Sequence, residues 1–411
     1  MMPPGDEFGV LEGQTIVCFG NDWNADPTSK HHLMRRLSRR NTVLWIESAG
    51  MRRPDLTRSG DGRRIVGKVR AMLAGPRDGG RNIHVLAPPT IPLPGSTFAS
   101  RLNAVLYRLA IARALRSIGT RQRPILWVFA PHVAPWIRHV PRSALIYYCV
   151  DRWSAFKGYD PALMEACEAE LCRKADLVVA TADDLVERCR THRPDVHYVP
   201  HGVDYEHFAT ALKPGPIPKD LAGIPTPRVG FFGLIHEWVD TELIGRLATA
   251  LPYSFVLIGN SDQDLSGLRA LPNVHILGRR SFADLPGYCR GFAATIIPFR
   301  HSELTKAVNP IKLREYAAAG LPVVSTDLPE VRRCADIVSC ASSDAEWVAA
   351  LRDAVERGGD SESRRLQSGR VSDQDWSMVC RRMGTLLANA MTATGRQLPV
   401  AREPEGAATA Q

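Results

Sequence analysis

No stretch of this sequence approaches the roughly 20 consecutive apolar residues that a bilayer-spanning helix needs. The first residues, Met1-Met2-Pro3-Pro4-Gly5-Asp6-Glu7, have neither the basic region nor the apolar core of a secretory leader. A cytoplasmic protein is the expectation. The nine cysteines are scattered, odd in number and without a C-x-x-C pair. That argues against a disulfide framework and against a zinc site, so reduced, mostly buried thiols and no metal are expected. No nucleic-acid-binding motif or interleaved aromatic pattern accompanies the basic residues, and nucleic acid is not an expected partner.

What is present is a globular composition, 45% hydrophobic with mixed charge over 411 residues. Two domains of roughly 200 residues each are the natural division. The net charge of +9 is uneven: the first 200 residues hold 29 Lys and Arg against 19 Asp and Glu, and the remainder 23 against 24. The basic excess gathers in Arg35, Arg36, Arg39 and Arg40, then in Arg52, Arg53, Arg58, Arg63, Arg64, Lys68 and Arg70. Such a patch suits an anionic membrane surface or a phosphate-bearing substrate. An arginine-rich composition throughout the source would give the same excess.

Short apolar runs alternate with helical patterns along the chain, which reads as α/β with parallel sheets. Thr15–Phe19 is the first expected strand. The turn-rich loop after it carries Asp22, Trp23, Ser29 and His32, and in open parallel sheets ligands sit beyond the carboxyl ends of strands. Ser29 would also serve as a helix cap. Residues 51–81, basic and poorly periodic, are expected to form a mobile loop or weak helix. The strand Pro124–Phe129 runs into His132, and Ala144–Val150 runs into Asp151. A base that deprotonates an acceptor hydroxyl needs such a strand-end position, and Asp151 ranks ahead of His132. A helix cap or a partner for Arg152 would use the same aspartate. Gly202, in Pro200-His201-Gly202-Val203-Asp204, permits a sharp turn close to a ligand.

In the second half, Arg228–Phe232 runs into Gly233, whose open turn could accept a phosphate and which leads to a helix that Asp240 could cap. The stretch Asn309–Thr326 then brings a proline, a short helix with Lys312 and Glu315 three residues apart, a terminating glycine and a β-branched run. The helix N-terminus and Lys312 suit a diphosphate, and Glu315 suits ribose hydroxyls. An ordinary α/β helix with a surface Lys and Glu has the same spacing.

Two β/α domains, a proline-rich hinge, Pro200–Asp204 and the Lys312–Thr326 stretch resemble the two-Rossmann-domain (GT-B) glycosyltransferases. The likeness is to the bacterial group 1, family 4-like enzymes that build surface polysaccharides and glycolipids. Asp22-Trp23, Pro27, Ser29, His32, Gly233, Trp238, Asp240, Pro310, Lys312, Glu315, Tyr316, Gly320 and Pro322-Val323-Val324 look like the pattern of a teichuronic-acid-glycosyltransferase-like subgroup. The resemblance covers about residues 14–391.

It implies two Rossmann-like domains facing a cleft. A lead (1–13) is followed by an acceptor-binding domain (14–204), a proline-rich linker (205–227) and a nucleotide-sugar-binding domain (228–372). A C-terminal helix (373–391) able to cross back and a disordered tail (392–411) complete the chain. It implies a nucleotide-diphosphate sugar, UDP-linked, as donor, a glycan or lipid-linked acceptor, no cofactor and no metal. The donor side would comprise Gly233, Arg300, Asn309, Pro310, Lys312, Leu313 and Glu315. The acceptor side would comprise Asp22, Trp23, Ser29 and His32, with Asp151 or His132 as base. Glu315 matches the second glutamate of the family's E-x7-E motif, but Ala307 stands where the first belongs, and the Arg and Lys that often follow the second-domain glycine turn are missing. Two other readings share the fold: a UDP-sugar 2-epimerase, which needs several acid/base carboxylates around one sugar, and a non-catalytic nucleotide-sugar-binding scaffold.

Overall fold

The structure is a computed structural model, described over residues 8–47, 75–91, 93 and 95–399. The basic residues from Arg52 to Arg70 lie outside the described residues, as does most of the segment read as a loop over 51–81. The chain divides into two units, one of residues 1–199 with 379–411 and one of residues 200–378.

The first unit is built on an eight-stranded sheet of β1 (Thr15–Gly20), β2 (Thr42–Glu47), β3 (Arg77–Asp78), β4 (Ile83–Leu86), β5 (Ile125–Val128), β6 (Ala144–Cys149), β7 (Leu177–Ala180) and β8 (His197–Tyr198). Their order is β3-β4-β2-β1-β5-β6-β7-β8, parallel except for β3 against β4. Strands β1, β5, β6 and β7 are buried along their whole length, as expected where helices cover both faces of a parallel sheet. Helix α1 (Ser29–Leu37) follows β1, and α2 (Thr97–Ser117) precedes β5 with Ser96 accepting from the Ala99 amide. Helix α3 (Pro161–Lys174) starts with proline in its first turn and an Asp160 cap, and α4 (Asp183–Arg190) joins β7 to β8. The strand order reverses between β1 and β5, which makes their carboxyl ends the natural ligand crevice.

The second unit has six parallel strands, β9 (Arg228–Phe232), β10 (Ser254–Ile258), β11 (Val274–Gly278), β12 (Ala294–Ile297), β13 (Val323–Thr326) and β14 (Ser339–Ala341). Their order, β11-β10-β9-β12-β13-β14, reverses between β9 and β12. Helix α5 (Thr241–Ala250) follows β9, capped by Asp240, which accepts from the Leu243 amide at 3.0 Å. Helix α6 (Ile311–Ala318) lies between β12 and β13, and α7 (Asp344–Gly358) follows β14.

Two boundaries differ from the sequence reading. Residues 205–227 do not form an extended linker: Tyr205–Ala209 and Lys219–Ala222 are helical, and Phe208 is buried against Phe232 with ring centroids 5.9 Å apart. The prolines are accommodated because Arg290 donates to the carbonyls of Thr210, Lys213 and Pro216, groups that secondary structure would otherwise satisfy. Pro200–Asp204 belongs to the second unit, where Val203 pairs with Gln374 and Trp376. At Gly202 a Cβ would lie 3.1 Å from the Trp376 ring, so its smallness serves packing. Helix α8 (Trp376–Ala393) runs on into the first unit from Val379.

Candidate active site

In the second unit the β9 turn and the start of α6 meet at Gly233. Its φ of 131° is one that side chains rarely adopt, and a Cβ would stand 2.0 Å from Cε and 2.5 Å from Nζ of Lys312. Glycine is therefore required twice, once for the backbone and once to leave room for the lysine. Gly259, at the end of β10, is needed in turn because a Cβ there would meet the Gly233 carbonyl. Tyr316 ties α6 to β9, its hydroxyl accepting from the Phe232 amide at 3.0 Å. No side chain caps the α6 N-terminus, which follows Pro310, so its first amides have no side-chain partner and the positive end of the helix lies beside Lys312.

Lys312 is half-buried, and burial lowers its pKa while Glu315 opposes that shift. Glu315 is 7% exposed. Burial pushes its carboxyl up to about 7, Lys312 holds it down, and Asp204 adds to the rise. A cation, uncapped helix amides and a carboxylate poised to ionise are thus gathered on one turn of helix. Beyond the carboxyl ends of β10 and β11 lies a cavity of about 570 Å³, bounded by Gly259, Asn260, Gln263, Arg269 and Gly278. The sequence reading missed it, since only the parallel pairing of β10 with β11 brings these loops together.

The other expected donor residues are placed differently. Asn309 is buried, donating to Glu330 at 3.0 Å and accepting from Arg314 at 2.8 Å, while Arg314 also donates to Gln374. This network anchors the start of α6. Leu313 is fully buried in the core. Arg300 lies beside Asp240 at 3.4 Å and Glu242 at 3.5 Å, so its charge is directed at the start of α5. Ala307 is fully buried.

In the first unit Asp151 follows β6, and burial pushes its carboxyl up to about 6 against the pull of Lys30. Lys30, one residue into α1, is the group the sequence reading passed over between Ser29 and His32. Its Nζ sits 5.4 Å from the Trp153 ring centroid and 5.9 Å from that of Phe129, a cation held against aromatic faces. Trp153 is fixed by an Nε1 donation to the Phe129 carbonyl at 3.0 Å. Burial lowers the Lys30 pKa, and Asp151 opposes this. His132 lies in the turn after β5, and neither ring nitrogen has a hydrogen-bond partner. Burial, then the Lys30 charge, lower its pKa to about 4, so the imidazole is neutral at pH 7. It lines a cavity of about 370 Å³ shared with Ile91, Asn103, Trp136, Cys167 and Glu170. A neutral imidazole with free nitrogens there can take a hydrogen bond or a proton from a hydroxyl.

The remaining acceptor-side residues do not converge on this point. Asp22 is exposed and its carboxylate accepts from the Asn24 amide. Trp23 is buried against Trp45 and His31, with ring centroids 4.9 and 5.3 Å away. Ser29 is not the cap; it is the buried first residue of α1, and Thr28 holds the cap position with its amide donating to His31 Nδ1. His32 is buried. Among the described residues one group, Cys149, Glu168 and Cys189, brings three potential metal-ligand atoms within 4.8 Å. Glu168 is already engaged by Arg188 at 2.5 Å and Tyr147 at 2.9 Å, and both thiols are pushed upward, so these groups favour one another over a cation.

Residues 226–357 match the family model described as glycosyl transferases group 1. The chain is 27% identical over 308 residues to the Bacillus subtilis (strain 168) protein named "Putative teichuronic acid biosynthesis glycosyltransferase TuaH", covering 69% of this chain and 77% of that one. The Anabaena protein Alr3699/HepE, solved with UDP and glucose, superposes with a TM-score of 0.63 at 13% identity over 91% of this chain and 99% of its own. Sucrose-phosphate synthase from Thermosynechococcus elongatus gives 0.66 at 13% identity over 92% and 100%. Residues 226–357 thus match a group 1 glycosyltransferase domain, the sequence relative supports the same family, and the two-sheet architecture of the chain is that of its GT-B neighbours.

Proposed function

We propose that this protein transfers a sugar from a UDP-sugar to a hydroxyl of a glycan or lipid-linked acceptor in surface polysaccharide or glycolipid synthesis, at the cytoplasmic face of the membrane and without a metal. One observation carries the donor half: Lys312 lies over Gly233 at an uncapped helix N-terminus, with Glu315 one turn along. HepE's complex with UDP supports the choice of nucleotide, and TuaH's name supports the class of product.

As the bond between the anomeric carbon and the diphosphate breaks, negative charge grows on the leaving group. Lys312 and the α6 amides stabilise that charge more than they stabilise the ground state. Glu315 accepts from the ribose hydroxyls. The acceptor oxygen forms the new bond as its proton passes to Asp151; if that attack comes from the face opposite the leaving group, the anomeric centre inverts. The cavity beyond β10 and β11 is assigned to the base.

Calorimetric titration with UDP and GDP tests the donor half. UDP is expected to bind, and Lys312→Ala to weaken it about 10- to 100-fold, the loss of one charge-assisted interaction. Failure of any nucleoside diphosphate to bind would overturn the reading. The buried Ala307, where the family's first glutamate belongs, favours a non-catalytic scaffold as the second reading, and UDP binding without transfer or hydrolysis would support it.

A further inference from the structure

Helix α2 is apolar on two opposite sides. Its inner side, with Ala99, Tyr107, Ile111 and Ala114, is buried. On its outer side Phe98, Leu102, Val105 and Leu109 are 74%, 36%, 52% and 60% exposed. Their spacing of four, three and four residues puts them within about 60° of one another around the helix. Leu93, just before the helix, is equally exposed at 60%. Four of the ten exposed large hydrophobic residues among the described residues thus form one stripe. Single exposed apolar residues are ordinary, but a contiguous stripe marks a surface that something covers.

The charges around the stripe indicate what covers it. Arg101 and Arg108 flank it and Arg113 and Arg116 continue it toward the helix C-terminus; all four are exposed, and none forms an ion pair among the described residues. From Gly79 to Val150 the chain has nine arginines and no carboxylate side chain; of these Arg138 is paired with Glu170, outside the helix. Two copies of this face would set arginine against arginine. The boundary between headgroups and acyl chains of an anionic bilayer is apolar beneath and negative above, and arginine stems reach from one to the other.

We propose that α2 docks the protein on an anionic lipid bilayer, the Phe98–Leu109 stripe entering the interface and the arginines meeting headgroup phosphates. These residues are other than the basic ones between Arg35 and Arg70 singled out in the sequence, and the proposal does not rest on the donor assignment.

Flotation of the full chain with vesicles of phosphatidylcholine, with and without phosphatidylglycerol, tests it. The chain is expected to float with phosphatidylglycerol vesicles, and more weakly as salt is raised. Phe98→Ser/Leu102→Ser/Leu109→Ser and, separately, Arg108→Glu/Arg116→Glu should each lower binding at least tenfold while keeping the melting temperature and UDP affinity of the parent. The charge-reversal variant carries the test if the apolar one does not fold. Absence of binding to phosphatidylglycerol vesicles, or binding that survives the substitutions, overturns the proposal. So does a dimer in sedimentation that the stripe substitutions convert to monomer without altering flotation. Vesicle binding by a chain that fails to bind UDP would leave this surface standing and overturn the donor assignment alone.

Discussion

Asp151 and Lys30 set each other's charge. Burial raises the carboxyl to about 6 and the lysine limits that rise, so the group is mostly ionised at pH 7 yet basic enough to take a proton. A base works only when deprotonated, so turnover should fall about tenfold per pH unit below about 6. Lys30→Met removes the cation that lowers the carboxyl pKa, and the acid limb of the pH–rate profile should move upward by about one unit. Asp151→Asn should leave UDP affinity intact and lower turnover by about 10²- to 10⁴-fold. An unchanged rate in that variant would remove Asp151 as the base and turn attention to His132, whose ring nitrogens are buried without a hydrogen-bond partner.

Helix α6 carries Lys312 and Glu315, the proposed donor-binding pair, and its placement depends on how it ends. Gly320 has φ 75°, and a Cβ there would lie 2.5 Å from Leu212 and 2.6 Å from the Arg364 carbonyl. Substitution is therefore penalised by backbone and by packing together. Gly320→Ala should cost about 1–3 kcal/mol, read as a lower midpoint in urea with an unchanged slope. The buried Asn309–Glu330 and Asn309–Arg314 hydrogen bonds fix the other end of the same helix. That end-to-end fixing holds Lys312 over Gly233, which a loosely held surface lysine would not maintain.

At the scale of the molecule, the last helix joins the end of the chain to its beginning. Val379, Cys380, Met383, Leu387 and Met391 recur at helical spacing and are buried, and Gly384 admits the Phe8 carbonyl at a distance no side chain would allow. Each buried large side chain contributes about 1.5–3 kcal/mol. A chain ending at residue 378 should lose the cooperative melting of its first unit, whereas one ending at residue 399 should melt within a few degrees of the full chain. Circular dichroism with limited proteolysis checks both.

The sequence by itself determined the α/β alternation, because strands covered on both faces must be apolar throughout, and the Lys312–Glu315 pair, because helical spacing is local. It also placed Asp151 beyond a strand end. Only the tertiary structure decided which of the polar groups after β1 matters. Lys30 approaches Asp151 and His132 because β1, β5 and β6 are neighbours in the sheet, while Trp23 and His31 turn into a packed aromatic cluster. Likewise the apolar residues of α2 are legible as a helix, but which of its two apolar sides stays outside depends on how it seats on the sheet. Periodicity and capping act over a few residues of chain. Burial and electric field are set by groups that meet only after the strands have chosen their neighbours.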